Sequence, residues 1–171
     1  MPKLWLNLKG QIISANDDWD RLAGKNESVH LSLKSITGRT YLSFIQGDAI
    51  RMLMETIFTR VNITGKPFIV HYRCDNKNHA QFVKMMVSKE DEATFCVEHQ
   101  TENIADIFPE LLFTEKAGAA EKRCGICGRV HFNGEWYDAL THRHVFGSLK
   151  TLQTESDICG SCSGELSQSL S

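Results

Sequence analysis

Four cysteines late in the chain have the spacing of a metal site. Cys124 and Cys127 form one Cys-x-x-Cys turn, and Cys159 and Cys162 form another after residues 128–158. Thiolate sulfur is a preferred ligand of Zn²⁺, which takes four ligands in a tetrahedron at structural sites. Because each turn can place two sulfurs on one side of an ion, the pattern predicts a structural Zn²⁺ site with all four cysteines as ligands.

Metal binding is strong enough to fold the segment that carries these cysteines. Closing a loop as long as residues 128–158 costs about 3 kcal/mol plus a constant, whereas structural zinc contributes on the order of 10–16 kcal/mol in small modules. Segments this short rarely fold without a metal or a disulfide. We therefore predict a small zinc-ribbon-like module over residues 124–171.

Other uses of paired cysteines are alternatives to zinc. Disulfides are disfavoured because residues 1–5 lack the form of a secretion signal and a cytosolic chain keeps its thiols reduced. A thioredoxin-like redox motif needs one Cys-x-x-Cys in a βαβ setting, not two in tandem. Iron held by four thiolates is the remaining alternative.

Several further residues are candidate ligands or thiols. His131, His142 and His144 could enter a second metal site or replace a cysteine, but with four cysteines present we expect them on the surface. Cys74 and Cys96 are left outside the two pairs. We predict that both are buried free thiols.

Composition and charge limit the class of protein. The 171 residues are 42% hydrophobic, enough for one ordinary core and an appendage. The net charge of −2 gives no general attraction to nucleic acid or anionic membranes, and no apolar run approaches the length of a membrane span. Residues 124–171 hold three basic and five acidic side chains, whereas a nucleic-acid-binding finger normally carries a basic footprint. We expect a cytoplasmic protein, without a membrane segment, that does not bind nucleic acid.

Local patterns then predict the elements that precede the cysteines. Leu4, Leu6 and Leu8 alternate with polar or amphipathic residues, which indicates a strand with one buried face, and residues 12–15 form the returning strand of an antiparallel hairpin. Asn16 stands where the N-cap of a short helix belongs.

A longer helix should begin at about Asp48. Its apolar residues recur at steps of three and four, the spacing of a helix with one buried stripe. Three β-rich runs follow, over residues 68–74, 81–88 and 94–99. Consecutive strands joined by short turns favour an antiparallel meander.

This order of elements resembles a PAS domain. The matching residues are 8–12 with Asn16 and Trp19, and the run from Phe68 to Asp75. The resemblance covers residues 3–101 and implies an α+β fold, with a five-stranded antiparallel sheet and helices on one of its faces. It also implies a small sensor and interaction domain.

PAS domains bind haem, flavin, small metabolites or nothing, so the resemblance implies at most an unidentified ligand. The flavin-photosensor type carries an Asn-Cys-Arg-Phe-like run, which this sequence lacks. The haem-sensor type places a histidine on the long helix, and residues 48–62 contain none. His30 and His71 are the nearest candidates, and we expect both to be ordinary surface or core residues.

The predicted organisation has three parts: a PAS-like domain over 1–101, a connecting helix or linker over 102–123, and the zinc module over 124–171. Pro109 suits the first turn of the connecting helix. Leu111, Leu112 and Phe113 follow it and need cover from the sheet, from the zinc module or from a second copy of the chain, which would make a homodimer.

The zinc segment resembles a cysteine-paired module appended to bacterial signalling proteins. The matching features are the first Cys-x-x-Cys, a Gly-x-Trp at Gly134 and Trp136, and Ile158 before the last Cys-x-x-Cys. The family has Ser-His-Gly before Ile-Cys and a proline inside the last turn, and this chain has neither. Asn133-Gly134 predicts a hairpin turn, and we expect one helix from Trp136 and another after Cys162.

Together these features predict a non-catalytic signalling protein that acts through ligand- or partner-dependent contacts with other proteins. No kinase, cyclase or phosphatase motif is recognisable. One alternative is a thiol-redox or metal-dependent enzyme. Another is a transcription cofactor that binds nucleic acid through the zinc module.

Overall fold

The structure is a computed structural model that describes residues 1–25 and 32–170, with side chains for 1–22 and 32–170. It confirms the α+β class: two five-stranded sheets are accompanied by few helices in the part of the chain described.

The first sheet has the strand order β2-β1-β5-β4-β3. Strand β1 lies between β2 and β5 and pairs antiparallel with both, which confirms the predicted hairpin. Short turns after Asp75 and Lys89 join the last three strands, so neighbouring strands there also run antiparallel. The strands are β1 (Lys3–Asn7), β2 (Ile12–Ala15), β3 (Phe68–Asp75), β4 (His79–Lys89) and β5 (Thr94–Asp106).

The helices between β2 and β3 follow local signals in the sequence. The Trp19 N–H donates to Asn16 Oδ1 at 3.2 Å, which confirms the predicted cap. The long helix buries Leu53, Met54, Ile57 and Val61, one apolar stripe at helical spacing. The helices are α1 (Asp17–Lys25), α2 (Leu33–Ile36), a 3-10 turn (Tyr41–Phe44) and α3 (Asp48–Thr64).

The second sheet has the order β6-β10-β7-β8-β9. Its strand β10 lies between β6 and β7 and is parallel to both, whereas β7, β8 and β9 are antiparallel. No helix in the described ranges is long and apolar enough to cross a membrane. The elements are β6 (Leu112–Glu115), β7 (Lys122–Cys124), β8 (Val130–Phe132), β9 (Glu135–Tyr137), a 3-10 turn (Arg143–Phe146), β10 (Thr151–Asp157) and α4 (Gly160–Leu170).

The chain divides into two units. The first unit comprises residues 1–45, 53–70 and 84–100, and the second unit comprises the intervening residues 46–52 and 71–83 together with 101–171. The predicted boundaries at 101 and 123 concern independent folding and stay a prediction.

The core of the first unit is apolar. Leu6, Ile57 and Val61 are fully buried. The Phe58 ring packs edge-to-face against Tyr41 and at a tilt against Phe95, with centroids 5.9 and 5.3 Å apart. Cys96 is buried as a free thiol, as predicted.

The core of the second unit combines apolar side chains with a buried cation. Leu111, Val130 and Phe146 form its centre. The buried guanidinium of Arg143 donates to four backbone carbonyls at distances between 2.6 and 3.0 Å. Those carbonyls belong to Pro109, Glu110, Gly147 and Leu149. A single side chain thus holds together two loops that have no regular secondary structure. Cys74, also in this unit, is exposed, so its predicted burial is wrong.

The predicted connecting helix does not form. Residues 102–106 continue β5, and residues 112–115 form β6. The backbone of β6 pairs with β10, so that Leu112 lies opposite Thr151, and this pairing outweighs the local helical signal. Leu111 and Phe113 are covered by residues of the second unit itself. Pairing of two copies of the chain stays a prediction.

The predicted hairpin at Asn133-Gly134 is confirmed, but the helix from Trp136 is wrong. Both turn residues have positive φ, 51° and 90°, and they connect β8 to β9, where Trp136 lies opposite His131. The turn sends the chain directly back along β8, so Trp136 becomes part of a strand.

Candidate metal centre

The two Cys-x-x-Cys turns are brought together by one parallel pair of strands. The first knuckle, residues 124–128, starts at the end of β7, and the second knuckle, residues 159–162, lies between β10 and the body of α4. In the pairing of β7 with β10, Cys124 lies opposite Asp157. The second turn therefore begins, at Cys159, only two residues after Asp157, which is paired with the first cysteine of the first turn.

The structure brings the four predicted ligands into one cluster. The Sγ atoms of Cys124, Cys127, Cys159 and Cys162 all lie within 4.8 Å of one another. Those of Cys127 and Cys159 are 3.8 Å apart, far beyond the roughly 2.05 Å of a disulfide. Zn–S bonds of about 2.3 Å separate the sulfurs of a regular tetrahedron by about 3.8 Å. The cluster could hold a metal ion such as zinc.

The backbone of the first knuckle is arranged around the sulfur of Cys124. The Cys159 N–H donates to Cys124 Sγ at 3.4 Å, which joins the two knuckles. The Gly128 N–H donates to the Cys124 carbonyl at 2.9 Å, and this tight turn requires the positive φ of 74° that Gly128 adopts.

The electrostatics of the cluster favour a cation at its centre. A hydrogen bond from the Cys127 thiol, with backbone N–H donors, lowers the pKa of Cys124 to about 4. The same hydrogen bond raises the pKa of Cys127. Burial, reinforced by the charge on Cys124, raises the pKa of Cys162 to about 12. Without a cation the cluster favours one thiolate, and binding a dication is what would let the other thiols ionise.

A buried network of ion pairs lies against the first knuckle, and sequence reasoning missed it. Arg73 on β3 pairs with Asp75 at 2.7 Å and with Asp138 at 2.9 Å, and Arg123 also reaches Asp75, at 2.8 Å. The side chains of Arg73 and Asp75 are 3% and 0% exposed. The sequence does show one signal, because Arg73 and Asp75 are charged residues within the otherwise largely apolar strand β3. No feature of the sequence identifies Asp138 as their partner.

The histidines considered as further ligands lie apart from the sulfurs. The His131 ring packs on Trp136, with centroids 5.4 Å apart. His142 accepts from or donates to Thr141 Oγ1 at 2.8 Å, and its ring is 6.1 Å from that of His144. Among the described residues, the four cysteines are the one group with three or more clustered ligand atoms.

The two histidines considered as haem ligands are His30 and His71. His30 lies outside the described residues. The His71 side chain is 65% exposed and lies 3.6 Å from a carboxylate oxygen of Glu102, a surface contact rather than a position in an apolar pocket.

Comparison with known proteins adds little. Neither a protein-family model nor a curated protein matches the chain. Among solved structures, the chain is similar to a domain of an HTR-like protein from Haloarcula marismortui ATCC 43049, with a TM-score of 0.39 and 12% identity, over 60% of this chain and 97% of that one. A likeness of this size does not establish a shared fold.

Proposed function

We propose that the chain is a non-catalytic signalling protein in which a PAS-like sensor domain is combined with a structural zinc site. It acts through contacts with other proteins that depend on a ligand or a partner. The observation that carries this proposal is the closed cluster of four sulfurs, all within 4.8 Å of one another.

Four protein ligands favour a structural role for the metal. A catalytic zinc keeps one position open for water or substrate and usually has three protein ligands. Here the fourth position would be taken by a cysteine, and three of the four cysteines are buried. The metal would therefore fix the fold, with no vacant position for a reaction.

The PAS-like part of the proposal is supported by the order of elements. Along the chain, two strands of the first sheet come first, the short helices and the long helix α3 follow, and the other three strands of that sheet come last. This is the order on which the resemblance rests. Any ligand of this domain would be a small molecule of unidentified type.

A protein partner agrees better than nucleic acid with the charges near the metal. Residues 124–171 hold more acidic than basic side chains, and four thiolates on one Zn²⁺ add two negative charges. Phosphate backbones are bound by clustered Lys and Arg. The charge balance of this segment opposes such binding.

The proposal is tested by metal analysis, thiol titration and an absorption spectrum of the freshly purified full-length protein. We expect about one zinc per chain, with the four cluster thiols unreactive until a chelator is added. Cys159→Ser should lose the metal, whereas the control Cys96→Ser should keep it, because Cys96 lies outside the cluster.

Three outcomes would contradict the proposal. Freshly purified protein that holds no metal and reversibly forms a disulfide within its Cys-x-x-Cys turns would indicate redox chemistry. Turnover of a substrate without a partner would indicate an enzyme. Salt-dependent binding to DNA would indicate a nucleic-acid-binding cofactor.

A further inference from the structure

The first knuckle is held in place by residues outside the cysteine segment. The backbone N–H of Arg73 donates to the Ile126 carbonyl at 2.9 Å, in the middle of the knuckle, and the Arg73 side chain lies against Gly128. A Cβ atom added to Gly128 would lie 2.8 Å from Arg73 Nε, and one added to Gly125 would lie 2.7 Å from Ile50 Cδ1. Both glycines therefore lie directly against side chains that come from elsewhere in the second unit.

Arg73 is itself fixed on several sides. Its Nε and Nη2 donate to the two oxygens of Asp75 at 3.0 and 2.7 Å, and its Nη1 donates to both oxygens of Asp138 at 2.9 Å. The guanidinium also lies over the Phe82 ring, 5.4 Å from its centroid. A buried planar fork with this many partners has one orientation available.

The second knuckle and the helical turn that follows it have no such support at their glycines. Around Gly160 and Gly164 there is no atom within 4 Å of an added Cβ. Ser161 and Ser163 are exposed. The two halves of the cluster thus differ. One half is packed against a rigid support, and the other is attached by strand β10 and by the hydrogen bond from the Cys159 backbone N–H to Cys124 Sγ.

We propose that the Arg73 side chain, packed against Gly128, is a positioning group that holds the first knuckle in its metal-binding conformation before the metal arrives. This inference rests on the proposed zinc site. The first knuckle would offer Cys124 and Cys127 as a preformed pair, and the second knuckle would close on the metal.

The physical reason is preorganisation. A knuckle that is already ordered loses less conformational entropy when the metal binds, so its affinity is higher. Residues that orient metal ligands without touching the metal typically change affinity by about 10- to 100-fold. Coupling is reciprocal, so bound metal must strengthen the Arg73 network to the same degree.

The test is a competition for zinc between the full-length protein and a chromophoric chelator. Arg73→Met should weaken zinc binding by about 10- to 100-fold. Arg73→Lys keeps the charge but cannot bind both carboxylates with a planar guanidinium. Its zinc affinity should therefore lie between those of the wild type and Arg73→Met. The control Arg39→Met replaces an exposed arginine that lies over Phe44 and should leave the affinity unchanged.

A second measurement does not depend on metal. In the metal-free protein, Arg73→Lys should accelerate amide exchange at Gly128 and Cys124, whose N–H groups close the knuckle, by about tenfold more than at the β8–β9 amides. This local readout separates positioning from a general loss of stability, and it is usable if Arg73→Met does not fold.

The inference is overturned if both variants bind zinc as the wild type does, or if exchange rises equally throughout the second unit. Wild-type protein that takes up no zinc would instead contradict the proposed function. In that case the amide-exchange comparison still decides whether Arg73 orders the knuckle.

Discussion

Each of the two units of this chain is stabilised internally by a different kind of interaction. The first unit has an apolar core, in which Leu6, Ile57 and Val87 are fully buried. The second unit also buries apolar side chains, but it adds the cysteine cluster and two buried arginines, Arg73 and Arg143. An apolar core contributes stability roughly in proportion to the apolar area it buries, and its contacts are not directional. The core of the second unit also depends on hydrogen bonds and ligand positions made by particular atoms.

This difference follows from what each unit has to bury. Strands β7, β8 and β9 have three residues each, and loops such as 107–111 contribute carbonyls that no strand pairs. Buried carbonyls without partners are costly, and a guanidinium with five donors can satisfy several of them at once. The stability of the second unit should therefore depend on bound metal and on particular buried polar groups.

Removal of the metal should make the largest difference between the units. Apparent binding free energies of structural zinc are on the order of 10 kcal/mol, and α4 is exposed apart from Cys162 and two half-buried leucines. We expect a chelator to increase amide exchange in α4 by several orders of magnitude. Exchange in β1 and in residues 94–100 of β5, which belong to the first unit, should change little. Mass spectrometry of exchanged peptides measures both in one experiment.

The control is Cys96→Ser, which should respond to the chelator as the wild type does. If α4 stayed protected after complete removal of the metal, or if β1 lost protection to the same extent, the contrast between the units would be wrong.

The features that could be predicted from the sequence are those that depend on residues close together in the chain. The β1–β2 hairpin, the Asn16 cap, helix α3 and the Asn133-Gly134 turn are confirmed. Each is specified by residues close together in the chain, through alternation, helical spacing or turn chemistry. The clustering of the cysteines was also visible, because paired Cys-x-x-Cys turns have few other uses.

The elements that sequence reasoning missed depend on partners far away in the chain. The run from Leu111 to Phe113 becomes a strand because β10, which follows much later, pairs with it. Arg73 meets Asp138 across 65 positions. No local pattern carries that information, so both the supposed connecting helix and the support of the first knuckle could be corrected only from the structure.

Loss of the buried Arg143 should have the next largest effect, and only on the second unit. Arg143→Met would leave four carbonyls without their donor. Each buried acceptor that loses its donor costs about 1–3 kcal/mol, so the total should be several kcal/mol. We expect a decrease of this size in the free energy of unfolding of the second unit, measured by denaturant-dependent amide exchange.

Arg129→Met, in the same unit, is the matched control, because the Arg129 side chain is exposed and such substitutions usually change stability by less than about 0.5 kcal/mol. Equal effects of the two substitutions would mean that the carbonyls around Arg143 find other donors. The description of this core as dependent on particular polar atoms would then fail.

Acid should produce a smaller effect that belongs to the first unit. The Nε2 atom of His99 is buried, and burial lowers the pKa of His99 to about 4, whereas an unfolded chain has a histidine pKa of about 6.5. As the pH falls below about 6.5, the unfolded state takes up a proton that the folded state does not. This contribution to stability is complete above that pH and is lost progressively down to about pH 4.

Between pH 7 and pH 5, His99 should therefore cost the first unit about 2 kcal/mol of stability. His99→Phe should remove this part of the pH dependence. His71→Phe should not, because the His71 side chain is 65% exposed. Urea denaturation of metal-free protein at the two pH values measures the difference, with exchange at β1 and at residues 94–100 of β5 as the reporter. If His99→Phe kept the same slope with pH, another titratable group in the first unit would be responsible for it.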